Sequence, residues 1–213
     1  MDATYVNIVQ VLHTPWLDKT IAIIAIAPFA FVLYENLSAE SIDVPELVLM
    51  IHVATVIVTM LLRTPPVRVT SNPLLWLLAF CATYWGFVTV PLYESGRELA
   101  STAVIYAIDI VSLVILFWAR LSLGRSIGFV PAERTLVTTG AYAFARHPIY
   151  SGFFLSILAL ELSSFTWRNL VLDLFWVLLF VVKSLVEERF LSANPRYVEY
   201  MKQVRWRWFP GVA

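Results

Sequence analysis

Residues 73–92 read PLLWLLAFCATYWGFVTVPL, 20 consecutive residues without a charged side chain. A helix of about 20 apolar residues is long enough to cross the hydrocarbon core of a bilayer. The run is continuously apolar rather than alternating, which favours a helix over a strand of a membrane barrel. The stretch therefore predicts a transmembrane α-helix.

Five further apolar blocks extend the same pattern along the chain. They cover residues 17–34, 45–62, 99–119, 148–162 and 169–186. The first is predicted to be kinked or broken at Pro28. The block at 148–162 is short for a span, so we expect it to form a helical hairpin with the last block through a turn at Ser163 and Ser164. The sequence predicts an all-α, polytopic membrane protein with about six transmembrane helices, or five if the last pair is a partial hairpin.

The composition excludes several classes of protein. Of the 213 residues, 60% are hydrophobic and 14% are charged, whereas soluble domains carry about 25% charged residues. Lys+Arg and Asp+Glu both number 15, so no bulk charge attracts a nucleic acid. A single cysteine, Cys81, excludes a disulfide framework and a cysteine-rich zinc site. We expect an integral membrane protein that needs no nucleic acid, no metal and no obligate protein partner.

The positions of the basic residues predict the orientation in the membrane. With six spans and the N-terminus inside, 13 of the 15 Lys and Arg residues lie in inner segments. The outer loops then hold only Arg97 and Arg168. This distribution follows the positive-inside rule. We therefore predict a multi-pass protein with both termini in the cytoplasm.

Polar residues concentrate after residue 119, which indicates that the function resides there. Four of the seven glycines fall within 29 residues, at positions 124, 128, 140 and 152. Glycine supplies left-handed backbone or a close approach to a ligand. Ordinary loop turns explain the same glycines equally well.

The segment GAYAFARHPIYSG at 140–152 predicts a helix start with an anion-binding end. Pro148 suits the first position of a helix, and His147 is held extended before it. The free N–H groups of the first turn then lie at the positive end of the helix dipole. Arg146 and His147 add donors suited to a carboxylate or a phosphate. A basic pair that marks the membrane interface is the alternative.

Two adjacent acids follow at the end of the last apolar block. Glu187 and Glu188 point about 100° apart on a helix, so they do not form a glycosidase-like carboxylate pair. We expect one to face a pocket while the other pairs with Arg146 or Arg189. Lys183 precedes Glu187 by one helical turn and is placed to pair with it. A solvated helix end is the alternative.

Aromatic residues are frequent in the C-terminal tail. Tyr197 and Tyr200 share one face of a short amphipathic helix, and aromatic and cationic residues alternate over 204–210. The tail is interpreted as an interfacial anchor or as an aromatic wall beside a cationic ligand. Within the apolar blocks, Asp109 is a candidate for a buried contact or a substrate contact, and His52 is interpreted as a satisfied buried histidine.

Four pieces of this sequence together resemble the isoprenylcysteine carboxyl methyltransferase family, and membrane-embedded phospholipid N-methyltransferases share the pattern. The pieces are LVTTGAY at 136–142, RHPIYSG at 146–152, EERFL at 187–191 and YVEY at 197–200, followed by a proline that closes the tail. The resemblance covers about 121–210. Asn194 departs from it where the family often has glycine, a mild change because asparagine tolerates left-handed backbone.

The resemblance implies a methyltransferase that uses S-adenosyl-L-methionine and acts on a lipidic or small hydrophobic acceptor: an isoprenylcysteine-like carboxylate, a phospholipid amine or a thiol. It implies transmembrane helices in 1–119 and a methyltransferase core with a cytoplasmic cofactor pocket in 120–213. The implied catalytic residues are Arg146, Glu187 and Glu188. The implied cofactor-binding residues are Leu136, Val137, Gly140, Tyr142, His147, Pro148, Tyr150, Gly152, Glu187, Leu191, Tyr197 and Tyr200.

Two other functions remain open at this point. NADPH-dependent membrane reductases of the sterol reductase type share the Arg-His-Pro-x-Tyr-x-Gly segment and a tyrosine-bearing tail. They typically have asparagine between Pro and Tyr and an acid after Gly, where this sequence has Ile149 and Phe153. A non-catalytic membrane scaffold is the third hypothesis, and the intact Arg146, His147 and Glu187 argue against it.

Overall fold

The computed structural model describes residues 15–38 and 44–212, and most of them are α-helical. The helices are α1 (Pro15–Leu37), α2 (Val44–Leu61), α3 (Pro73–Thr89), α4 (Thr102–Leu123), α5 (Pro148–Ser163), α6 (Trp167–Leu191) and α7 (Pro195–Gln203). Short 3-10 helices lie at Val90–Leu92, Gly124–Ser126 and Gly140–Ala143. Two short strands, β1 (Arg68–Val69) and β2 (Ala132–Glu133), pair antiparallel. The predicted all-α architecture is confirmed.

The helices have the lengths and surfaces of membrane-spanning segments. In the described part of the chain, four are long and apolar enough to cross a bilayer, namely Asp18–Leu37, Pro73–Leu92, Thr102–Ser126 and Trp167–Leu191. Two shorter apolar helices accompany them, Met50–Leu61 and Pro148–Ser163. Large apolar side chains such as Ile24 and Leu74 are 68% and 69% exposed, a surface that is unfavourable in water and suited to lipid. The protein is an integral membrane protein.

The first helix is continuous, which excludes one of the two forms expected at Pro28 and leaves the kink as a prediction. α1 continues through Pro28 to Leu37, so the expectation of a break at the proline is wrong. Proline removes one helical hydrogen bond, and membrane helices tolerate it because local adjustments satisfy the freed carbonyl. The turn predicted at Ser163 and Ser164 does lie between two helices, since α5 ends at Ser163 and α6 begins at Trp167.

α4 and α5 pack closely because Gly152 has no side chain. A Cβ atom at this position would lie 2.5 Å from Cγ of Leu116 and 3.2 Å from the carbonyl oxygen of Ser112. The Ser112 hydroxyl donates to the Gly152 carbonyl at 2.8 Å. Small residues allow membrane helices to approach in this way. The contact fixes the start of α5, and with it the Arg-His-Pro segment, against α4.

A buried ion cluster ties the N-terminal helices to the loop 127–137. Asp18 accepts hydrogen bonds from Nε and Nη2 of Arg63 at 2.9 and 2.7 Å. The same carboxylate lies 3.3 Å from Nη2 of Arg134, which also donates to the Thr64 carbonyl. Asp18 and Arg63 are 5% and 4% exposed. Charge in α1 and at the end of α2 therefore holds the loop in place.

Backbone hydrogen bonds hold the same loop beside β1. The amide of Val67 donates to the Glu133 carbonyl at 2.7 Å, and the amide of Thr70 donates to the Pro131 carbonyl at 3.1 Å. These bonds flank the register in which Arg68 lies opposite Glu133. The connection between α2 and α3 is thus a second support for the loop.

Asp18→Asn is expected to destabilise the protein by about 3 kcal/mol, because Arg63 and Arg134 would stay charged and buried without their anion. Thermal unfolding in detergent measures the change as a lower midpoint. Glu94→Gln is the matched control, since Glu94 and Arg168 form an ion pair that is 51% exposed on both sides and such pairs contribute about 0–1 kcal/mol. Equal midpoints for Asp18→Asn and the unmodified protein would contradict this account.

Candidate active site

A cavity of about 190 Å³ lies where α4, α5, α6 and α7 meet the loop 127–137, and every residue of that loop lines it. Phe29 and Thr83 contribute from the N-terminal half. Phe153 and Phe180 add apolar surface from α5 and α6. Ten of the fourteen predicted site residues line the cavity: Leu136, Val137, Tyr142, Arg146, His147, Tyr150, Glu187, Leu191, Tyr197 and Tyr200.

The other four predicted residues are not among the described residues that line the cavity. Gly140 has a φ of 62°, and a Cβ atom there would collide with the Ser122 side chain. Pro148 is the first residue of α5, and Gly152 packs against α4. Glu188 is buried beside the cavity. Backbone geometry and packing account for these residues, and their contact with a ligand stays a prediction.

The segment before α5 is held by the C-terminal tail. His147 has a φ of −128° and a ψ of 58°, so its backbone is neither helical nor fully extended, and the extended conformation expected before Pro148 is not reached. The amides of Arg146 and His147 donate to the carbonyls of Trp206 and Arg207 at 2.9 and 2.8 Å. The tail therefore runs alongside this segment and is attached to it by backbone hydrogen bonds, a role that its aromatic and cationic pattern did not indicate.

The first turn of α5 offers fewer free amides than the sequence suggests. The amides of Tyr150 and Ser151 both donate to the His147 carbonyl, at 3.0 and 3.2 Å. The Ser151 hydroxyl donates to the Trp208 carbonyl. Helix N-termini bind anions through unpaired N–H groups. At this helix, the first-turn amides of Tyr150 and Ser151, which the sequence suggests for an anion, are therefore used within the protein.

Arg146 and Glu188 form a buried ion pair beside the cavity. Nε of Arg146 donates to Oε1 of Glu188 at 2.7 Å, and Nη2 of Arg207 donates to Oε2 at 2.9 Å. Nη1 of Arg146 also donates to the carbonyls of Val204 and Arg205, at 2.9 and 2.6 Å. The Arg146 guanidinium is thus engaged by α6 and by the tail. The arginine therefore fixes the tail to α6.

Glu187 faces the cavity, on a different side of α6 from Glu188, as their angular offset predicts. Its Oε2 accepts from the Tyr150 hydroxyl at 2.7 Å, and its Oε1 lies 3.7 Å from Nζ of Lys183. Nδ1 of His147 lies 3.8 Å from the same Oε2. A carboxylate has about four acceptor sites, so Glu187 retains capacity for a hydroxyl or an ammonium group of a ligand.

Three buried tyrosines form an aromatic wall. Tyr142, Tyr197 and Tyr200 line the cavity, and each is less than 9% exposed. The Tyr200 hydroxyl donates to the Tyr142 carbonyl at 2.7 Å. Burial raises the pKa of all three phenol hydroxyls above the usual value. The tyrosines are therefore neutral at physiological pH and offer ring faces rather than negative charge.

Three of the described cations that line the cavity are absent from the predicted site, and one of them, Arg134, is paired with Asp18. Arg120, in the last turn of α4, is 4% exposed, and its Nε and Nη1 have no hydrogen-bond partner among the residues described. Lys183 is equally buried, and its Nζ lies 5.3 Å from the centre of the Tyr150 ring. Arg120 ends an apolar block, where an arginine is typical of the membrane interface. Nothing in the sequence near it signals a pocket.

Two of the ionisable residues within the apolar blocks do not reach the cavity. Asp109 and His52 are not among its described lining residues. The Asp109 carboxylate lies 3.5 Å from the Ser156 hydroxyl, and His52 is 6% exposed. Within 15–38 and 44–212, no three His, Cys, Asp or Glu side chains are grouped as metal ligands.

The central part of the chain also matches a known family. Residues 98–195 match the phospholipid methyltransferase family. The matched segment contains α4, the loop 127–137, α5 and α6, and so most of the cavity. The resemblance predicted from the sequence pieces is confirmed. No curated protein matches the chain closely enough to be reported as a relative.

The family match covers three of the four sequence pieces that carry the resemblance. The pieces at 136–142, 146–152 and 187–191 lie inside it, and the tyrosine pair at 197–200 lies just beyond. In the structure, that tyrosine pair returns to the same cavity. The segment that matches the family and the start of the tail therefore line one cavity.

Proposed function

We propose that the protein transfers a methyl group from S-adenosyl-L-methionine to a lipidic or small hydrophobic acceptor. The observation that carries the proposal is a single cavity with a polar part at Glu187 and an apolar part at Phe153 and Phe180. Phe180 lies about 10 Å along α6 from Glu187, toward the membrane interior. A polar methyl donor and an apolar acceptor can meet there without the acceptor leaving the bilayer. The methyltransferase family match supports the reaction class.

The residues around the cavity fit this cofactor. S-adenosyl-L-methionine supplies, when bound, a methyl group on a positively charged sulfur. Glu187 would take its ribose hydroxyls or its ammonium group, because the carboxylate faces the cavity with acceptor capacity to spare. Aromatic faces stabilise a neighbouring cation, a role that suits the tyrosines. The remaining wall would come from Leu136, Val137, His147 and Leu191.

Arg146 and Glu188 position the site in this proposal. Their ion pair is buried, with side chains 8% and 9% exposed, and it connects the start of α5 to α6 and the tail. Glu187 directly precedes Glu188, so the pair also sets the direction in which Glu187 points. Residues 120–213 form the proposed methyltransferase core, with the helices of 1–119 packed against it.

The buried cations Arg120 and Lys183 favour an acceptor that carries an anionic group. Arg120 has two N–H groups without a partner in the described part of the chain, and Lys183 has Glu187 at 3.7 Å. A buried charge without an anion is unfavourable by several kcal/mol. A carboxylate or a phosphodiester of the acceptor would supply that anion, whereas both cations would repel a protonated amine.

A carboxylate acceptor also simplifies the proton balance. It reacts in its charged form, so the site needs no general base for it. An amine or a thiol must lose a proton, and a base must stand within hydrogen-bond reach of it. Positioning of the two reactants and exclusion of water contribute the rest of the rate. A carboxylate is therefore the acceptor group that this cavity suits best, with a phospholipid amine and a thiol as the alternatives.

We also propose a multi-pass topology with both termini in the cytoplasm and the polar part of the cavity on that side. The excess of Lys and Arg in the predicted inner segments supports it. Arg189, Arg196 and Lys202 are exposed near the cavity, at the end of α6 and on α7. The acceptor would enter from the bilayer, and the proposal requires no obligate protein partner.

Thermal unfolding of detergent-purified protein with S-adenosylhomocysteine, and separately with NADPH, tests the reaction class. A ligand at 100 times its Kd adds about 2.7 kcal/mol of stability. We expect S-adenosylhomocysteine alone to raise the midpoint. Stabilisation by NADPH alone would replace the proposal by a reductase of the sterol reductase type. No response to either would favour a scaffold.

A further inference from the structure

A hydrogen bond between two cavity-lining side chains joins the loop 127–137 to α7. Nδ2 of Asn194 donates to Oε1 of Glu133 at 2.6 Å. The other polar atom of the Asn194 side chain, Oδ1, accepts from the Arg196 amide at 2.9 Å and caps α7. One side chain thus starts the helix and attaches it to the loop. We call this contact the Glu133–Asn194 bridge.

The Glu133 side of the bridge is itself anchored. Oε2 of Glu133 lies 3.2 Å from Nε of Arg68. Nη2 of Arg68 donates to the Phe190 carbonyl at 2.9 Å, and its guanidinium lies 4.3 Å from the centre of the Phe190 ring. The carboxylate is therefore fixed relative to the end of α6, where the chain turns toward α7.

The position of α7 sets the width of the cavity, because the helix carries Tyr197 and Tyr200 onto it. The hydrogen bond from Tyr200 to the Tyr142 carbonyl holds its C-terminal half. The Glu133–Asn194 bridge holds its N-terminal end, next to Tyr197. A helix of nine residues is not stable alone in water. These attachments therefore decide where Tyr197 lies.

We propose that Glu133 and Asn194 are positioning residues that hold Tyr197 against the cavity loop and thereby slow the dissociation of the cofactor. The inference rests on the proposed function and concerns cofactor binding rather than the transfer step. Breaking the bridge raises the dissociation rate and the KM of the cofactor. It does not lower kcat at saturating cofactor, because neither side chain takes part in the transfer.

Asn194→Asp breaks the bridge and keeps the helix cap. Aspartate caps helices as well as asparagine does, but its carboxylate would face the carboxylate of Glu133. In the double variant Glu133→Gln with Asn194→Asp, the glutamine amide can donate to the new carboxylate, so the bridge is restored with reversed polarity. Glu133→Gln alone keeps an acceptor oxygen for Asn194.

Asn72 provides a matched control at another helix. It also precedes a proline, and its Oδ1 caps α3 by accepting from the Leu74 amide at 2.9 Å. It is not among the described residues that line the cavity. Asn72→Asp therefore makes the same change of charge at the same kind of cap, away from the site.

Two measurements on the full chain in detergent test the proposal: dissociation of labelled S-adenosylhomocysteine, and amide hydrogen exchange of residues 195–203 without cofactor. In Asn194→Asp, S-adenosylhomocysteine is expected to dissociate about tenfold faster, because that is the effect of losing one charge-assisted hydrogen bond. The amide hydrogens of α7 are also expected to exchange faster. The double variant should return both rates to those of the unmodified protein. Asn72→Asp should leave both rates unchanged, and Glu133→Gln, which keeps a neutral acceptor for Asn194, should give rates between those of the unmodified protein and of Asn194→Asp.

The outcomes separate this inference from the proposed function. An unchanged dissociation rate in Asn194→Asp, or a double variant as fast as the single one, would overturn the positioning role. If the unmodified protein binds no S-adenosylhomocysteine, the proposed function fails, and so does the proposed effect of the bridge on cofactor dissociation. The hydrogen exchange pattern would then still decide whether the bridge holds α7.

Discussion

Glu187→Gln is expected to weaken S-adenosylhomocysteine binding about 100-fold while the protein stays folded. Hydrogen bonds to a charged group contribute about 1.5–3 kcal/mol, and each 1.4 kcal/mol is a factor of about ten in Kd. Glutamine still offers an oxygen to the Tyr150 hydroxyl, which donates to Glu187 at 2.7 Å. The local packing is therefore retained while the negative charge is lost. Isothermal titration of the purified protein measures the change.

Glu199→Gln is the control for that experiment. Glu199 lies on α7 near the same end of the bundle, pairs with Lys202 at 3.1 Å and has a 59% exposed side chain. Its replacement removes one carboxylate without touching the cavity, so the Kd should not change. Tight binding of S-adenosylhomocysteine by Glu187→Gln would remove Glu187 from the cofactor site.

Arg120→Gln is expected to lower kcat/KM for an anionic acceptor about 100-fold and to leave S-adenosylhomocysteine binding intact. Arg120 lines the cavity, and its buried Nε and Nη1 have no hydrogen-bond partner among the described residues. A charge-assisted pair with a carboxylate or phosphate is of the required strength. Transfer of labelled methyl groups to S-farnesylcysteine, which offers a carboxylate, measures the loss. Phosphatidylethanolamine vesicles, which offer a phosphate and an amine, form the second arm.

The two acceptors and one control variant distinguish a role of Arg120 in acceptor binding from a role in cofactor binding. Arg125→Gln removes a nearby arginine that is exposed and donates to the Leu62 carbonyl at 2.7 Å, and it should transfer methyl groups normally. Loss of S-adenosylhomocysteine binding in Arg120→Gln would reassign Arg120 to the cofactor. Normal kcat/KM with both acceptors would contradict the acceptor role.

Local features of the site can be predicted from the sequence because they depend on residues that are neighbours in the chain. The proline at position 148 predicts the helix start, and α5 begins there. The offset of adjacent helical residues predicts that Glu187 and Glu188 separate, and they do. The apolar blocks likewise predict the helices, since a span is defined by its own length and composition.

Contacts between residues that are far apart in the chain cannot be predicted in this way. Asp18 and Arg134 are 116 positions apart, and each has a plausible local explanation as a charge near an interface. Arg120 is informative only once folding has left its N–H groups unpaired. The tolerance of asparagine for left-handed backbone is not used at Asn194, because its φ is −93° and its side chain caps α7. A single sequence does not show which distant residues will pair.

Because the tail pairs with the start of α5, the site can be completed only after the tail has been synthesised. Arg146 and His147 leave the ribosome well before Trp206 and Arg207, whose carbonyls receive their amides. The helices can thus enter the membrane while the partners of Arg146 are still being synthesised. Until residues 204–208 emerge, the nascent chain is an inserted precursor without a finished cofactor site. A stop codon or a protease cut before Val204 would leave it in that state.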